Sequence, residues 1–475
     1  MTAGPEGPAL RLTAQWVAGA MGGVLVAGDP WSEFDGVSID TRTLAAGDLF
    51  IAIRGERFDG TAFAGTAIEK GAAGVVVPRG SAAVARPVDE GKVVIEVEDT
   101  IRALQALGHT IRRESGTKVV AITGSAGKTT TKVVAAEFLA AQYRVVRNRG
   151  NFNNHIGLPL SLVELRQRPE IAVVELGMNH PGEISTLVHV AEPDVRVWTN
   201  VGEAHLGFFA SVDAIADAKA EIFEGASSAT TLVANADEDR IVARLGRFRG
   251  RVVTFGIERA ADVSASEVVD RGIDGTSARI TTGRGSVELN TPLIGRGNLA
   301  NVLAATAVAE EFDIPLATVA ALAATLRPAA HRGDVVRLTS GITVIDDSYN
   351  ANPTAMRRAL EVLARTEAGR RRIAVLGEML ELGERGSELH AVVGRAAAAA
   401  DVNVLLTVGG SGAAAMADAA IASGMPRNAV RHFESSVDAA DAAAAMVTAG
   451  DVVLVKGSRG VRTDVVVDRL KAERG

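Results

Sequence analysis

Short apolar runs punctuate the chain, and their spacing changes twice. In roughly the first hundred residues they are close together, "DLFIAI" (48–53), "GVVV" (74–77) and "KVVIEV" (92–97), with glycine-rich turns between them and one helical stretch near 62–71. From "KVVAIT" (118–123) onward, the strands "IAVVEL" (171–176), "VRVWTN" (195–200) and "TTLVAN" (230–235) alternate with longer amphipathic segments. Apolar strands separated by helical lengths predict a parallel sheet covered by helices. Between about 251 and 295 the runs shorten to "RVVTFG", "ARITTG" and "SVELN", which predicts an antiparallel edge. A third block opens near 328 and repeats the strand–helix alternation through "TVIDD", "RIAVLG", "NVLLTVG" and "DVVLVKG". The alanine tracts "GRAAAAADV" and "VDAADAAAAMV" read as helix formers, because an apolar strand follows each.

Composition agrees with several domains and removes some functions. A chain of 475 residues is too long for one core. The net charge of −7, with both signs interspersed, argues against a general nucleic-acid or membrane-surface binder. There are no cysteines, which excludes disulfides, thiolate metal sites and a cysteine nucleophile. The start "MTAGPEGPALRLTAQ" lacks the basic-then-apolar pattern of a signal peptide, and no stretch nears the ~18–20 apolar residues of a membrane helix. A cytoplasmic location without membrane insertion is expected.

The strongest chemistry lies in "VVAITGSAGKTTTK" (119–132). A buried strand runs into Gly124-Ser125-Ala126-Gly127-Lys128-Thr129-Thr130, and an amphipathic helix follows. Two glycines let the backbone turn tightly and aim successive amides inward. Lys128 adds a point charge, the helix N-terminus adds its dipole, and Thr129 stands where a hydroxyl can ligate Mg²⁺. A nucleotide phosphate site is predicted. The loop is short, with Ile122 where the first glycine of the longer phosphate loop would stand.

Gly-x-x-Gly-Lys-Thr-Thr after an apolar strand resembles the Mur ligases and their folylpolyglutamate synthetase relatives, ATP-dependent enzymes joining a carboxylate to an amine. The resemblance continues in order. "NFNNHIGLPL" (151–160) resembles the family's Asn-x-Ile-Gly-x-Pro loop, and "VVELGMNHPGEI" (173–184) the strand whose glutamate, here Glu175, ligates magnesium. "TNVGEAHLGFF" (199–209) supplies His205, "AKAEIF" (218–223) supplies Lys219, which the family carries as a carbamate, and "GRGNLANVLAA" (295–305) brings Asn298 and Asn301 near the adenine. Each residue alone has a plainer reading. Glu175 could solvate a sheet edge, Lys219 sits in a mixed-charge helix where lysines are ordinarily solvated, and "GN" before an apolar run is also a helix-cap signature.

Segment 35–77 resembles the N-terminal uridine-nucleotide domain of the later Mur ligases, through Asp40-Thr41-Arg42 with nearby Ser38, and through Gly47-Asp48-Leu49-Phe50-Ile51-Ala52. In the third block "VIDDSYNANPTAM" (344–356), "LGEMLELGE" (376–384) and "VLVKGSRGVR" (453–462) resemble the branch that adds D-alanyl-D-alanine. The third-residue ligases carry Asp-Tyr-Ala-His-x-Pro and Asp-Asn-Pro-Arg instead. This chain departs from its branch at Arg462-Thr463-Asp464, where Met-Glu often follows.

The resemblance implies an α/β fold of three domains. These are a small N-terminal α/β uridine-nucleotide-binding domain (1–105), a central P-loop-type parallel-sheet ATPase domain (106–327) and a C-terminal Rossmann-like α/β domain (328–475). It implies ATP and two Mg²⁺ ions as cofactors, with Lys128, His205 and carbamylated Lys219 catalytic. Thr129, Glu175, His205 and Lys219 would hold metal, and Arg332 and Asp347 would hold the nucleotide from the third domain. Ser38, Asp40, Thr41, Arg42, Asn154, Asn179, His180, Tyr349, Asn350, Asn352, Lys456, Ser458 and Arg459 would bind the substrates, UDP-MurNAc-tripeptide and D-Ala-D-Ala. A monomer is expected. Two rivals remain at this point: the third-residue ligase, which a substrate swap would expose, and a binding protein that keeps the fold without chemistry.

Overall fold

A computed structural model describes residues 7–55, 59–82, 91–148, 150–204, 206–366 and 370–475. His205 therefore lies outside the described residues. The strands form three sheets, of five, nine and six strands. Packing divides the chain into two compact units, one of Met1–Ile122, Gln142–Arg196 and Glu221–Thr231, the other of Thr123–Ala141, Val197–Ala220 and Leu232–Gly475.

The first unit contains the five-stranded sheet, in the order Val24–Ala27, Val93–Val97, Gly74–Pro78, Leu49–Ile51, Val37–Ser38. Its pairings are parallel except at Val24–Ala27. Phe50, Val75, Val77 and Val94 are buried against Ala64, Ala67 and Ile68 of the helix Ala64–Glu69, so the short runs near the N-terminus have a core of their own. The helix Thr100–Ser115 begins where the Asp99 carboxylate accepts the amides of Ile101 and Arg102, and stops at Gly116, whose φ is +72°. Arg112 of that helix donates to the carbonyls of Ala191 and Glu192 and pairs with Asp194 at 2.8 Å. Lys118–Thr123 pairs in parallel with Ile171–Glu175, which pairs with Val145–Arg147.

The nine-stranded sheet continues through Val195–Trp198, Thr231–Asn235, Arg251–Gly256, Val263–Asp270, Thr276–Thr282 and Gly285–Thr291. The antiparallel edge is present, but it begins one strand later than the sequence pattern suggests: Arg251–Gly256 pairs in parallel with Val263–Asp270. After Arg251–Gly256 the Asp237 carboxylate accepts the amides of Ile257, Glu258 and Arg259, which fixes the turn between the two strands.

Also in the second unit, the six-stranded sheet has the order Asp334–Arg337, Thr343–Asp347, Val452–Lys456, Arg372–Gly377, Val404–Val408, Val430–Phe433. Only its first strand is antiparallel. Val344, Ile373, Val375, Leu406, Val453 and Val455 are buried with Ala439, Ala440, Val466 and Val467. The alanine tracts are helical, in Gly386–Ala399 and Ser436–Met446. Small side chains serve close packing there: a Cβ at Gly394 would sit 2.1 Å from the carbonyl oxygen of Met416.

Candidate active site

The strand Lys118–Thr123 ends in the phosphate loop, and both loop glycines are required by their surroundings. Gly124 has φ +150°, and a Cβ there would meet Thr199 Oγ1 at 2.0 Å; Gly127 has φ +80°, and a Cβ would meet Asn301 Oδ1 at 2.3 Å. The helix Lys128–Leu139 starts at Gly127 without a side-chain cap, so its first amides remain available to an anion. Lys128 Nζ donates to the Gly124 carbonyl at 2.7 Å, holding the charge over the loop. Thr129 is half-buried and Thr130 buried.

A bracket that the sequence reading missed fixes the loop from the side. Asn200 accepts the Ala126 amide at 2.9 Å and donates to the Ala126 carbonyl at 2.9 Å, which also accepts from Thr199 Oγ1 at 2.8 Å. Ser125 Oγ donates to the Gly202 carbonyl at 3.2 Å and accepts the Gly202 amide at 2.9 Å. Asn301 accepts from Thr131 Oγ1 at 3.2 Å and donates to Asn298 Oδ1 at 3.2 Å. Asn301 thus meets the helix that follows the loop, with Asn298 behind it. The signal for Thr199 and Asn200 was a polar pair closing an otherwise apolar strand.

Lys219, on the helix Val212–Ala220, is only 2% exposed. Burial, reinforced by the charge of Lys128, pushes its ammonium well below the usual lysine range. The plainer reading of a solvated helical lysine is therefore wrong for this side chain. In the first unit Glu175 is 2% exposed at the end of its strand, with its amide on Asn148 Oδ1 at 3.2 Å and Asn153 Nδ2 at 3.4 Å from its Oε2. Asn153, not Asn154, faces the glutamate; Asn154 Oδ1 instead accepts the amides of Ile156 and Gly157 and starts the helix Gly157–Leu162. Asn179 and His180 are exposed, and the Glu183 carboxylate accepts both their amides.

The N-terminal candidates form one local group. Ser38 Oγ donates to the Asp40 carbonyl at 3.1 Å, and Arg42 embraces the Asp40 carboxylate, its Nη2 at 2.6 Å. That side-chain hydrogen bond pulls the Asp40 carboxyl down to about 2. The Thr41 carbonyl accepts from Lys70 Nζ at 2.8 Å.

The third-region candidates also converge. Lys456 is 3% exposed and donates to Asp347 Oδ2 at 2.6 Å and to the Asn350 carbonyl at 3.0 Å. Burial raises the Asp347 carboxyl above its usual range, with Lys456 and Arg332 pulling the other way. The Arg332 guanidinium carbon lies 4.1 Å from the Tyr349 ring centroid, and that of Arg459 lies 5.5 Å from it. Asn352 caps the helix Pro353–Ala364 by accepting the Ala355 amide at 2.8 Å. Ser458 Oγ accepts the Leu380 amide at 3.0 Å. The sequence reading passed over His331, Asp346 and Ser348. His331, at φ +60°, sets Nδ1 2.9 Å from Asp346 Oδ2, and Ser348 Oγ donates to Asp346 Oδ1 at 2.6 Å. That network fixes the two residues on which Arg332 and Tyr349 are the next neighbours.

Three family models match along the chain: "Mur ligase family, catalytic domain" over 33–112, "Mur ligase middle domain" over 122–309 and "Mur ligase, glutamate ligase domain" over 331–459. The chain belongs to the Mur ligase family. Among Mur ligases, the UDP-N-acetylmuramoyl-tripeptide–D-alanyl-D-alanine ligases of Bacillus subtilis and Escherichia coli are each 35% identical. The alignments cover 92% of this chain, with 93% and 94% of theirs. A crystal structure of MurF from Acinetobacter baumannii matches with a TM-score of 0.87 at 30% identity, covering 98% of this chain and 100% of that one. MurF from Thermotoga maritima in complex with ADP matches with a TM-score of 0.79 at 27% identity, covering 92% and 97%. The three-domain α/β Mur ligase architecture is therefore the fold of this chain. A folylpolyglutamate synthase of Mycobacterium tuberculosis, at 18% identity and a TM-score of 0.61, shares that fold over 79% of the chain.

Proposed function

We propose that this Mur ligase uses ATP to join D-alanyl-D-alanine to UDP-N-acetylmuramoyl-tripeptide, in the cytoplasmic synthesis of peptidoglycan precursors. The observation that carries the reading is the end-to-end match with ligases of that name, at 92% of this chain and 93% of the Bacillus subtilis protein. The chemistry follows from charge. The tripeptide carboxylate and the γ-phosphate of ATP are both anions, and they must meet for an acyl phosphate to form. The amine of the dipeptide then attacks the acyl carbon, phosphate leaves, and an amide, ADP and phosphate result. Lys128 and the uncapped helix at Gly127 neutralise phosphate charge through that sequence.

Hydroxyl and carboxylate oxygens are donors that magnesium prefers, and that cation would draw charge from the phosphate oxygens. Thr129, Glu175, His205 and Lys219 are the ligands carried over for two ions. Lys219 suits modification. Only a neutral amine attacks CO₂, and burial shifts this one toward its neutral form; the resulting carbamate replaces a cation with two oxygen donors.

The N-terminal group Ser38, Asp40, Thr41 and Arg42, with Asn154, Asn179 and His180, is assigned to the UDP-tripeptide. Tyr349, Asn350, Asn352, Lys456, Ser458 and Arg459 are assigned to the dipeptide, and Arg332 and Asp347 to ATP. Domain boundaries near 105 and 327 and a monomeric state complete the proposal. The test is one assay with ATP, UDP-MurNAc-tripeptide and D-Ala-D-Ala, read by phosphate release and product mass. Dependence on all three is expected. Equal turnover of a single amino acid on the UDP-dipeptide would overturn it in favour of the third-residue ligase.

A further inference from the structure

The third region holds two guanidiniums beside one tyrosine; Arg332 is placed with ATP and Arg459 with the dipeptide, but with no particular group of it. Arg332 Cζ is 4.1 Å from the Tyr349 ring centroid and Arg459 Cζ is 5.5 Å from it, with Arg459 Nη1 3.5 Å from the phenol oxygen. Stacking on an aromatic face orients a guanidinium while leaving its in-plane N–H donors unused. The neighbouring carboxylates are engaged elsewhere: Asp347 with Lys456 at 2.6 Å, and Asp346 with His331 at 2.9 Å. Among the described residues Arg459 has no carboxylate at ion-pair distance. An oriented, exposed guanidinium with free donors is a reader for a planar anion.

The two arginines point to different ligands. Next to Arg332, Gly333 lies against Ile294 and Asn298, at the start of the helix that meets the phosphate loop, so Arg332 belongs to the nucleotide end. Arg459 belongs to the other end. Its neighbour Gly460 lies against Leu380, whose Cδ1 would be 2.8 Å from a Cβ at that glycine. Leu380 is 45% exposed although its amide is held by Ser458 and its loop is fixed through Met379, whose amide donates to His390 Nε2 at 2.8 Å. A fixed apolar side chain beside a free guanidinium matches a small ligand with methyl side chains and one carboxylate.

We propose that Arg459 reads the free C-terminal carboxylate of the dipeptide substrate, that Leu380 contacts its methyl groups, and that Tyr349 is a positioning residue for the guanidinium. This rests on the proposed ligase activity. The amine end of the dipeptide is the nucleophile, so the carboxylate is the one charge left for recognition. Its loss costs a charge-assisted hydrogen bond, on the order of 10-fold or more in affinity.

The experiment compares D-Ala-D-Ala with its C-terminal carboxamide, using full-length protein, ATP and UDP-MurNAc-tripeptide. Wild-type protein should use the amide with a KM raised about 10-fold or more and a kcat changed far less. Arg459→Leu should raise the KM for the acid by a similar factor and leave the amide almost untouched, so that the preference disappears. Tyr349→Phe should keep the preference, whereas Tyr349→Leu should lose most of it. Leu380→Ser should raise the KM for both dipeptides alike. Equal use of acid and amide by wild-type protein overturns the proposal without variants, and so does a full preference persisting in Arg459→Leu. If wild-type protein turns over neither dipeptide, the ligase reading itself has failed, a different result from ordinary turnover without preference.

Discussion

The central region and the third region each bury a lysine, Lys219 at 2% and Lys456 at 3% exposed, and treat it in opposite ways. Lys456 meets Asp347 at 2.6 Å and a backbone carbonyl at 3.0 Å, so its charge is compensated. Lys219 meets no anion among the described residues; the charge that acts on it is another cation, Lys128. Equal burial therefore accompanies an ion pair in one place and an amine shifted toward its neutral form in the other. The difference is one carboxylate. A paired lysine adds to stability whatever else it binds, while an unpaired buried amine costs stability and is worth keeping only if it reacts or binds something.

The largest expected effect separates the two roles. Lys219→Met should lower kcat by roughly 10²–10³-fold, the scale of losing one preorganised charge-stabilising group, while its denaturation midpoint stays level or rises. Short-chain carboxylic acids should restore part of the activity by standing in for the proposed carbamate. Near-normal turnover at low Mg²⁺ would sink the carbamate role. Lys456→Met should do the reverse to stability, costing about 1–3 kcal/mol because the partly buried Asp347 is left without its cation. Adding Asp347→Leu should recover much of that loss in urea melts; no recovery would mean that the pair does not act as a unit.

A pH series sharpens the contrast further. The Lys219 amine has a depressed pKa in the fold, so below about 10.4 the unfolded chain holds a proton that the folded chain lacks. Stability should rise with pH in the alkaline range up to that value, by at most about 1.4 kcal/mol per pH unit. In CO₂-free buffer Lys219→Met should remove this slope. The smallest effect belongs to His390, which lies between the two lysines in kind. It is kept neutral by burial, with Nδ1 at 2.7 Å from the Gly386 carbonyl and Nε2 accepting the Met379 amide. Its folded pKa is lowered, so stability should fall as pH drops below about 6.5, and His390→Gln should flatten that limb.

Much of this was legible in the sequence because it is local. The strand, two glycines, Lys128 and the helix are contiguous, so 119–132 alone predicts the loop and its chemistry. The strand–helix alternation likewise anticipates the sheets. What was hidden depends on partners distant in the chain. Asn200 brackets Ala126 across 74 residues, and Asp346 finds His331 across 15. The burial of Lys219 was hidden for another reason: "DAIADAKAEIF" reads as a solvated helix, and only tertiary packing decides which of its faces is covered. Asn153 and Asn154 are neighbours of the same type, and only the helix start at Gly157 assigns the cap to one and the Glu175 contact to the other.

The contact between Gly127 and Asn301 has an evolutionary consequence. A side chain at 127 would collide with Asn301 Oδ1 at 2.3 Å, and φ of +80° disfavours any L-residue there even if 301 were emptied. Two independent barriers must fall together before any substitution at 127 is tolerated. No single nucleotide change offers a way through. A library randomised at 127 alone should return glycine, and one randomised at 127 and 301 together should still return glycine at 127. The shape of the phosphate loop is thus held by a helix 170 residues downstream of it in the chain, with Thr131 as the point of attachment.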